Sequence, residues 1–312
     1  MLVSNECIMS TAAAAGYGVG AFNINNLETL MAIEEAAVEE KSPVIVAITP
    51  SAIRYGGLDY LASIVKVAAK RISVPVSLHL DHGKDLETIT RCLKAGFTSV
   101  MIDASHLEYK ENVAMTKAAV SLAHKSGASV EAELGVLAGI EEDLVKEGDV
   151  VLTDPHLAEE FVKRTKVDAL AIAIGTSHGA YKYKGDPMLD FERLKAIRKQ
   201  TDVLLVLHGA SNVPLWVIER ATKYGAELAG AKGIREDHIQ RAISLGISKI
   251  NIDTDLRLAF TGAVRQVLAT SPKQFDPRKI LGPAKEAMKE VAQMKMRLFG
   301  SSGKVVAKEM NA

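Results

Sequence analysis

Cysteine is scarce in this chain. Cys7 and Cys92 are the only two among 312 residues, far apart and in no metal-like spacing. That excludes a disulfide framework and a thiolate cage, and it fits a reducing cytoplasm. An excess of either charge is also missing: Lys and Arg number 38, as do Asp and Glu. With no net basic field, neither nucleic acid nor an anionic membrane is an expected partner, and any anion must be held by local donors. Long apolar runs are absent as well. Those present are strand-sized, short of the ~20 residues a membrane helix needs. The N-terminus has neither the basic stretch nor the apolar run of a signal peptide, so none is expected.

What is present is a regular rhythm. Eight strand-like runs occur at 18–25, 43–49, 75–81, 99–103, 129–134, 169–175, 203–207 and 249–253. Most are Val, Ile, Leu and Ala on both faces, the pattern of strands covered on both sides. Amphipathic helix patterns separate them, at 27–40, 58–70, 86–94, 109–125, 155–164, 190–199, 214–224 and 235–245, and the chain continues as a helix over 256–268. Strict alternation means βαβ units and a parallel sheet. Eight units with no linker predict one closed (β/α)8 TIM barrel over residues 1–312, with an open doubly wound sheet as the alternative. A short helix at 4–15 is expected to cover the barrel bottom. Residues 283–299 read as a helix of a C-terminal extension running to 312, with a mobile tail from Gly300. Two tempting phosphate motifs fail: Gly16-x-Gly18-x-Gly20 precedes a strand, and the Gly300–Lys304 stretch lacks P-loop spacing.

Three histidines share one context, at the end of an apolar run and just before glycine: His82 in SLHLDHG, His178 in AIAIGTSHG and His208 in VLLVLHG. Imidazoles from three strand tips would hold a divalent ion with positions left open for a ligand, the mark of a catalytic metal. Strand C-termini face the active site in such barrels. The polar residues collected there are Asn23, Asn25, Ser51, Asp81, His82, Asp103, Glu133, His178, His208, Asn251, Asp253 and Thr254. Asp81 and His82 are adjacent, so on an extended chain they point oppositely. His82 is then assigned to the metal and Asp81 to general acid–base work on the substrate, unless it merely forms the turn before Gly83. Asp103 and Glu133 would hold a second metal or orient the histidines.

His79 reads as a hydrogen-bonded interior residue and His106 as structural, while His124, His156 and His238 fall in helical patterns and should be solvated. The loops after strands six to eight look built for phosphate: Gly179 with Lys182, Gly209 with Ser211, and Asn251, Asp253 and Thr254. Arg257 would meet a second anion at the mouth or be a solvated helix residue. The loop after strand five carries Glu141, Glu142 and Asp143 between glycines, either a lid bearing an acid or an acidic helix start.

The segments AFNINNLE, LHLDHG, VMIDASH, VEAELG, AIGTSHGAYK, LHGAS, NIDTDLR and FDPRK, from about Ala21 to Pro283, resemble the class II, metal-dependent fructose-1,6-bisphosphate aldolases. The resemblance implies reversible cleavage of fructose 1,6-bisphosphate to dihydroxyacetone phosphate and glyceraldehyde 3-phosphate through a metal-stabilised enediolate. Tagatose 1,6-bisphosphate is the alternative substrate. It implies a catalytic zinc on His82, His178 and His208, and Asp103 and Glu133 binding a second or displaced metal with His82. Asp81 would exchange a proton with the C4 hydroxyl. Glu141 would exchange the C3 proton, with Glu142 its rival. Gly179, Gly209, Ser211, Asp253 and Thr254 would bind the dihydroxyacetone phosphate end with Lys182 nearby, and Asn23 and Asn251 the substrate. Ser51, Arg257 and Arg278 would serve the distal phosphate, the last from a neighbouring subunit of a homodimer or homotetramer. A monovalent cation near the phosphate is also implied.

The same residues admit rival functions. A Schiff-base aldolase would need a lysine at a strand tip, and neither Lys84 nor Lys182 ends a strand. A metal hydrolase would leave the phosphate loops unexplained. A non-catalytic sugar-phosphate-binding barrel would need no acid–base pair. Cobalt or iron would accept the same histidines as zinc.

Overall fold

The computed structural model describes residues 1–136, 151–176, 188–228 and 233–305, and the backbone of 139–141 and 144–146. Its strands are β1 (Val19–Asn23), β2 (Val44–Ile48), β3 (Val76–Gly83), β4 (Ser99–Ile102), β5 (Ser129–Leu134), β6 (Gly139–Glu141), β7 (Leu144–Lys146), β8 (Ala169–Ile172), β9 (Leu204–Leu207) and β10 (Ile247–Ile252). Eight of them close a parallel barrel in the order β1-β10-β9-β8-β5-β4-β3-β2, and β6 and β7 form a separate antiparallel pair. The first and last strands meet with Val19 opposite Lys249 and Phe22 opposite Ile252. The expected (β/α)8 barrel is therefore what the chain forms.

Period-two alternation sorts side chains between two cores. On β3, Leu78 and Leu80 join the large layer between strands and helices, together with Val46, Val100, Leu170, Leu205 and Ile250. A smaller cluster, of Val19, Ala21, Ile45, Ala169, Ala171 and Val206, fills the lower barrel interior against Ile8, Met9 and Ala12. Those last three lie on the helix Asn5–Ala15, which covers the barrel bottom as expected. Each fully buried Leu, Ile or Phe contributes about 1.5–3 kcal/mol.

Helix starts follow capping chemistry. Asn26, Asp85, Asp154, Asp190 and Asp276 each accept a backbone N–H of the first turn, a contact of about 1 kcal/mol. Asp276 moves one boundary: the C-terminal helix runs Pro277–Phe299 with Pro283 inside it. Pro277, at the first turn behind an aspartate cap, is the better start. The tail is held at its beginning, because Ser301 is buried against Ser42 (Oγ to Oγ 2.8 Å) and Gly303 N–H donates to the Glu40 carbonyl at 2.7 Å. A further helix, Pro50–Gly56, follows β2. No helix among the described residues is long and apolar enough to cross a membrane.

Candidate metal and acid–base site

The interior faces of β3, β5 and β10 carry charged side chains, Asp81, Glu131 with Glu133, and Lys249, where barrel interiors of this kind are dominated by branched aliphatics. Glu131 on β5 receives the Lys249 Nζ of β10 on both carboxylate oxygens, at 2.9 and 2.8 Å. Burial opposes ionisation of Glu131, but Lys249 and the His208 hydrogen bond outweigh it and hold its carboxyl far below the usual range. His79 on β3 lies beside this pair, its Nδ1 3.0 Å from Ser99 Oγ and its Nε2 3.4 Å from Lys249 Nζ. Burial, then Lys249, push its pKa down to about 3, so it is a neutral interior residue.

Above this layer sits Asp81. Asn23 Nδ2 donates to its Oδ2 at 2.9 Å, and Asn251 Nδ2 reaches its Oδ1 at 3.1 Å. Burial would raise its pKa, but the imidazole of His82 and the Lys249 ammonium leave it lowered. His82 does not point away from Asp81. Its φ of 50° puts it in the left-handed region, and the β3–β4 register shifts between Leu80 and Gly83. This irregularity turns His82 toward the same side, its Nε2 4.0 Å from Asp81 Oδ1. The opposite-facing expectation assumed a regular strand, and the bulge overrides it.

His82 and His208 meet with ring centroids 4.7 Å apart. Asp103 Oδ2 lies 3.0 Å from His82 Nδ1, and Asp103 Oδ1 accepts from the Ser105 hydroxyl at 2.7 Å. Glu133 Oε2 is 3.3 Å from His208 Nδ1. Burial would lower the pKa of His208, but the carboxylates of Glu131 and Glu133 outweigh it and raise it. Two groups present clustered ligand atoms, all within 4.8 Å of one another: Asp81 with His82 and His208, and His82 with Asp103 and Glu133. All five residues are buried. The carboxylate oxygens of Glu133 make no hydrogen bond among the described residues. Buried anionic oxygens beside imidazoles are costly unless a cation joins them, so the donor set fits a divalent metal.

A family model described as "Fructose-bisphosphate aldolase class-II" matches residues 3–227 and 228–304. The chain belongs to this class II aldolase family. It is 55% identical over 305 residues to the fructose-bisphosphate aldolase of Thermus caldophilus, covering 97% of this chain and 100% of that one. It is 49% identical over 307 residues to that of Helicobacter pylori strain J99, covering 98% and 100%. Among solved structures, the YdjI aldolase from Escherichia coli K12 superposes with a TM-score of 0.80 at 34% identity, covering 98% of this chain and 100% of that one.

The class II motifs are thus carried on a barrel whose upper interior gathers Asn23, Asp81, His82, Asp103, Glu133, His208 and Asn251. Beside it lies a cavity of about 430 Å³ lined by Asn23, Ser51, Tyr55, Asp253, Arg257 and Phe260, among others. Asp253 and Arg257 are paired there, Nε to Oδ1 2.7 Å. Thr254 begins the helix Thr254–Thr270. Gly209, with φ of 61°, and the buried Ser211 follow His208 on the loop after β9. Arg278 does not line the cavity. It is 90% exposed and bonded to Asp276 at 2.9 Å.

His178, Gly179, Lys182 and Glu142 lie outside the described residues, and so does the side chain of Glu141. The backbone of Glu141 pairs with Leu144 in the β6–β7 hairpin, so the loop after β5 is not a helix start. Among the remaining histidines, His106 is exposed, His124 bonds Asp168 at 2.9 Å, and His238 is half-buried against Phe191 instead of solvated.

The residues missed by sequence reasoning are Glu131 and Lys249. The signal was there: Glu131 is two before Glu133, and Lys249 two before Asn251. On a strand those pairs share a face.

Proposed function

We propose that the chain is a zinc-dependent fructose-bisphosphate aldolase. It reversibly cleaves fructose 1,6-bisphosphate to dihydroxyacetone phosphate and glyceraldehyde 3-phosphate, with tagatose 1,6-bisphosphate as the competing substrate. The observation that carries this reading is the Asp81 carboxylate, clamped by Asn23 and Asn251 within reach of two imidazoles suited to a metal. The names of the relatives support it.

His82 and His208, with His178, would hold the catalytic zinc. Asp103 and Glu133 would take a second or displaced divalent ion with His82. A bound divalent ion supplies Lewis-acid stabilisation of the charge that develops on the ketone half as the C3–C4 bond breaks. Asp81 removes the C4 hydroxyl proton as that bond breaks and returns it to the aldehyde oxygen in condensation. Its lowered pKa keeps it ionised and ready as a base at neutral pH. Asn23 and Asn251 aim its oxygens and contact the substrate. Glu141 delivers a proton to C3 of the ketone half.

Gly179, Lys182, Gly209, Ser211, Asp253 and Thr254 bind the dihydroxyacetone phosphate end, with a monovalent cation nearby. Ser51 and Arg257 serve the far phosphate, and their shared cavity supports that role. Remote phosphate binding orients the reacting carbons. Arg278 would complete the far phosphate site of a second copy in a homodimer or homotetramer, which its 90% exposure supports. Two free cysteines, one exposed and one buried, support a cytoplasmic location.

The test is cleavage of fructose and tagatose bisphosphates side by side, before and after verified metal removal. Faster turnover of the fructose sugar that disappears with the metal is expected. Full activity of the metal-free chain would overturn the mechanism.

A further inference from the structure

Lys249 and Glu131 take no part in the steps above, yet they are enclosed in the barrel interior, at 0% and 1% exposure. They come from non-adjacent strands, β10 and β5, with β9 and β8 between them in the ring. The ammonium bonds both carboxylate oxygens and leaves its remaining donor toward His79. Glu131 Oε1 also lies 2.8 Å from His208 Nε2. An ionised carboxylate only accepts, so the proton between them belongs to Nε2. The other ring nitrogen, Nδ1, is then the one facing Glu133, 3.3 Å from its Oε2.

We propose that Lys249 and Glu131 are positioning residues for the metal. Lys249 pins Glu131, and Glu131 fixes the tautomer and tilt of His208, so that Nδ1 is the nitrogen presented to the ion. The chemistry is that of a carboxylate orienting a metal-binding imidazole. Here the carboxylate is itself locked by a lysine buried beneath the site. The inference rests on His208 being a ligand.

The probe is Co²⁺ added to chelator-treated protein, followed by its visible absorption. The chains compared are the parent, His208→Ala, Glu131→Gln and the double variant Lys249→Met with Glu131→Leu. The double variant replaces the ion pair with apolar groups of similar size, a change that buried pairs often tolerate; circular dichroism verifies its fold. Glu131→Gln keeps shape and removes only the charge. Expected are a ~10–100-fold loss of Co²⁺ affinity in both Glu131 variants and a changed cobalt spectrum. In the zinc-loaded parent, the ¹H–¹⁵N spectrum of the His208 ring should show a proton on Nε2, and that pattern should be lost in the double variant. Unchanged affinity in Glu131→Gln and the double variant, beside a fall in His208→Ala, overturns the positioning role alone. Unchanged affinity in His208→Ala overturns the ligand assignment, and the inference with it.

Discussion

Asn251 and Asp81 are 170 residues apart and meet across the barrel, the Asn251 Nδ2 3.1 Å from Asp81 Oδ1. With Asn23 on the other oxygen, the carboxylate is bonded on both sides by neutral amides. Amides stabilise the anion without neutralising it, which suits a base that must still accept a proton.

Asp81→Asn is therefore expected to keep the fold and metal content while kcat for fructose 1,6-bisphosphate cleavage falls by ~10²–10⁴. Steady-state kinetics beside elemental analysis measures this. A variant with parental kcat would remove Asp81 from the reaction.

Stripping the metal should lower thermal stability. A ligand that binds only the folded chain stabilises it by about 2.7 kcal/mol at a hundred times its Kd. Melting in chelator should thus occur at lower temperature than in excess Zn²⁺, and His82→Ala should close that gap. An equal gap in His82→Ala would take His82 out of the site.

His79 gives a pH dependence of defined sign. Its pKa is about 3 in the folded chain against an ordinary 6.5. Between those values the unfolded chain binds a proton that the folded chain refuses. Stability from this group is full above pH 6.5 and is lost as pH falls toward 3. Urea midpoints at neutral and mildly acid pH, both in chelator, should drop more for the parent than for His79→Gln. Equal drops would refute the assignment.

Lys295 and Asp255 form a buried pair at 2.7 Å, and Lys295 also donates to the Asn212 carbonyl. This ties the C-terminal helix to the loop after β9 and to the first turn of the helix Thr254–Thr270. Lys295→Met strands a buried carboxylate and should cost about 3–5 kcal/mol in urea unfolding. Adding Asp255→Leu should recover most of that loss; no recovery would show that the damage is to packing and not to charge.

The barrel was legible because its strands are short, mostly aliphatic on both faces and separated by amphipathic helices, several of which start behind a side-chain cap. The meeting of His82 and His208 was legible too, since each ends a strand before glycine. The orientation of His82 was not, because a bulge at Gly83 depends on β4, which lies elsewhere in the chain. The burial of Lys249 was not legible, because a lysine at the start of a strand-like run has no local sequence feature that marks it as enclosed. Its partner Glu131 lies 118 residues away, and only ring closure brings them together. The hairpin after β5 was hidden by an acidic stretch that equally suits a helix start.

Ring closure also bears on how the protein is made. Ser42 and Glu40, near the start, are bonded by Ser301 and Gly303, near the end, and β1 waits for β10. A chain emerging from the ribosome exposes β1 with an unsatisfied edge until nearly the whole polypeptide has been synthesised. Asp81 gains its Asn251 clamp only then, so a growing fragment cannot assemble the complete acid–base site early.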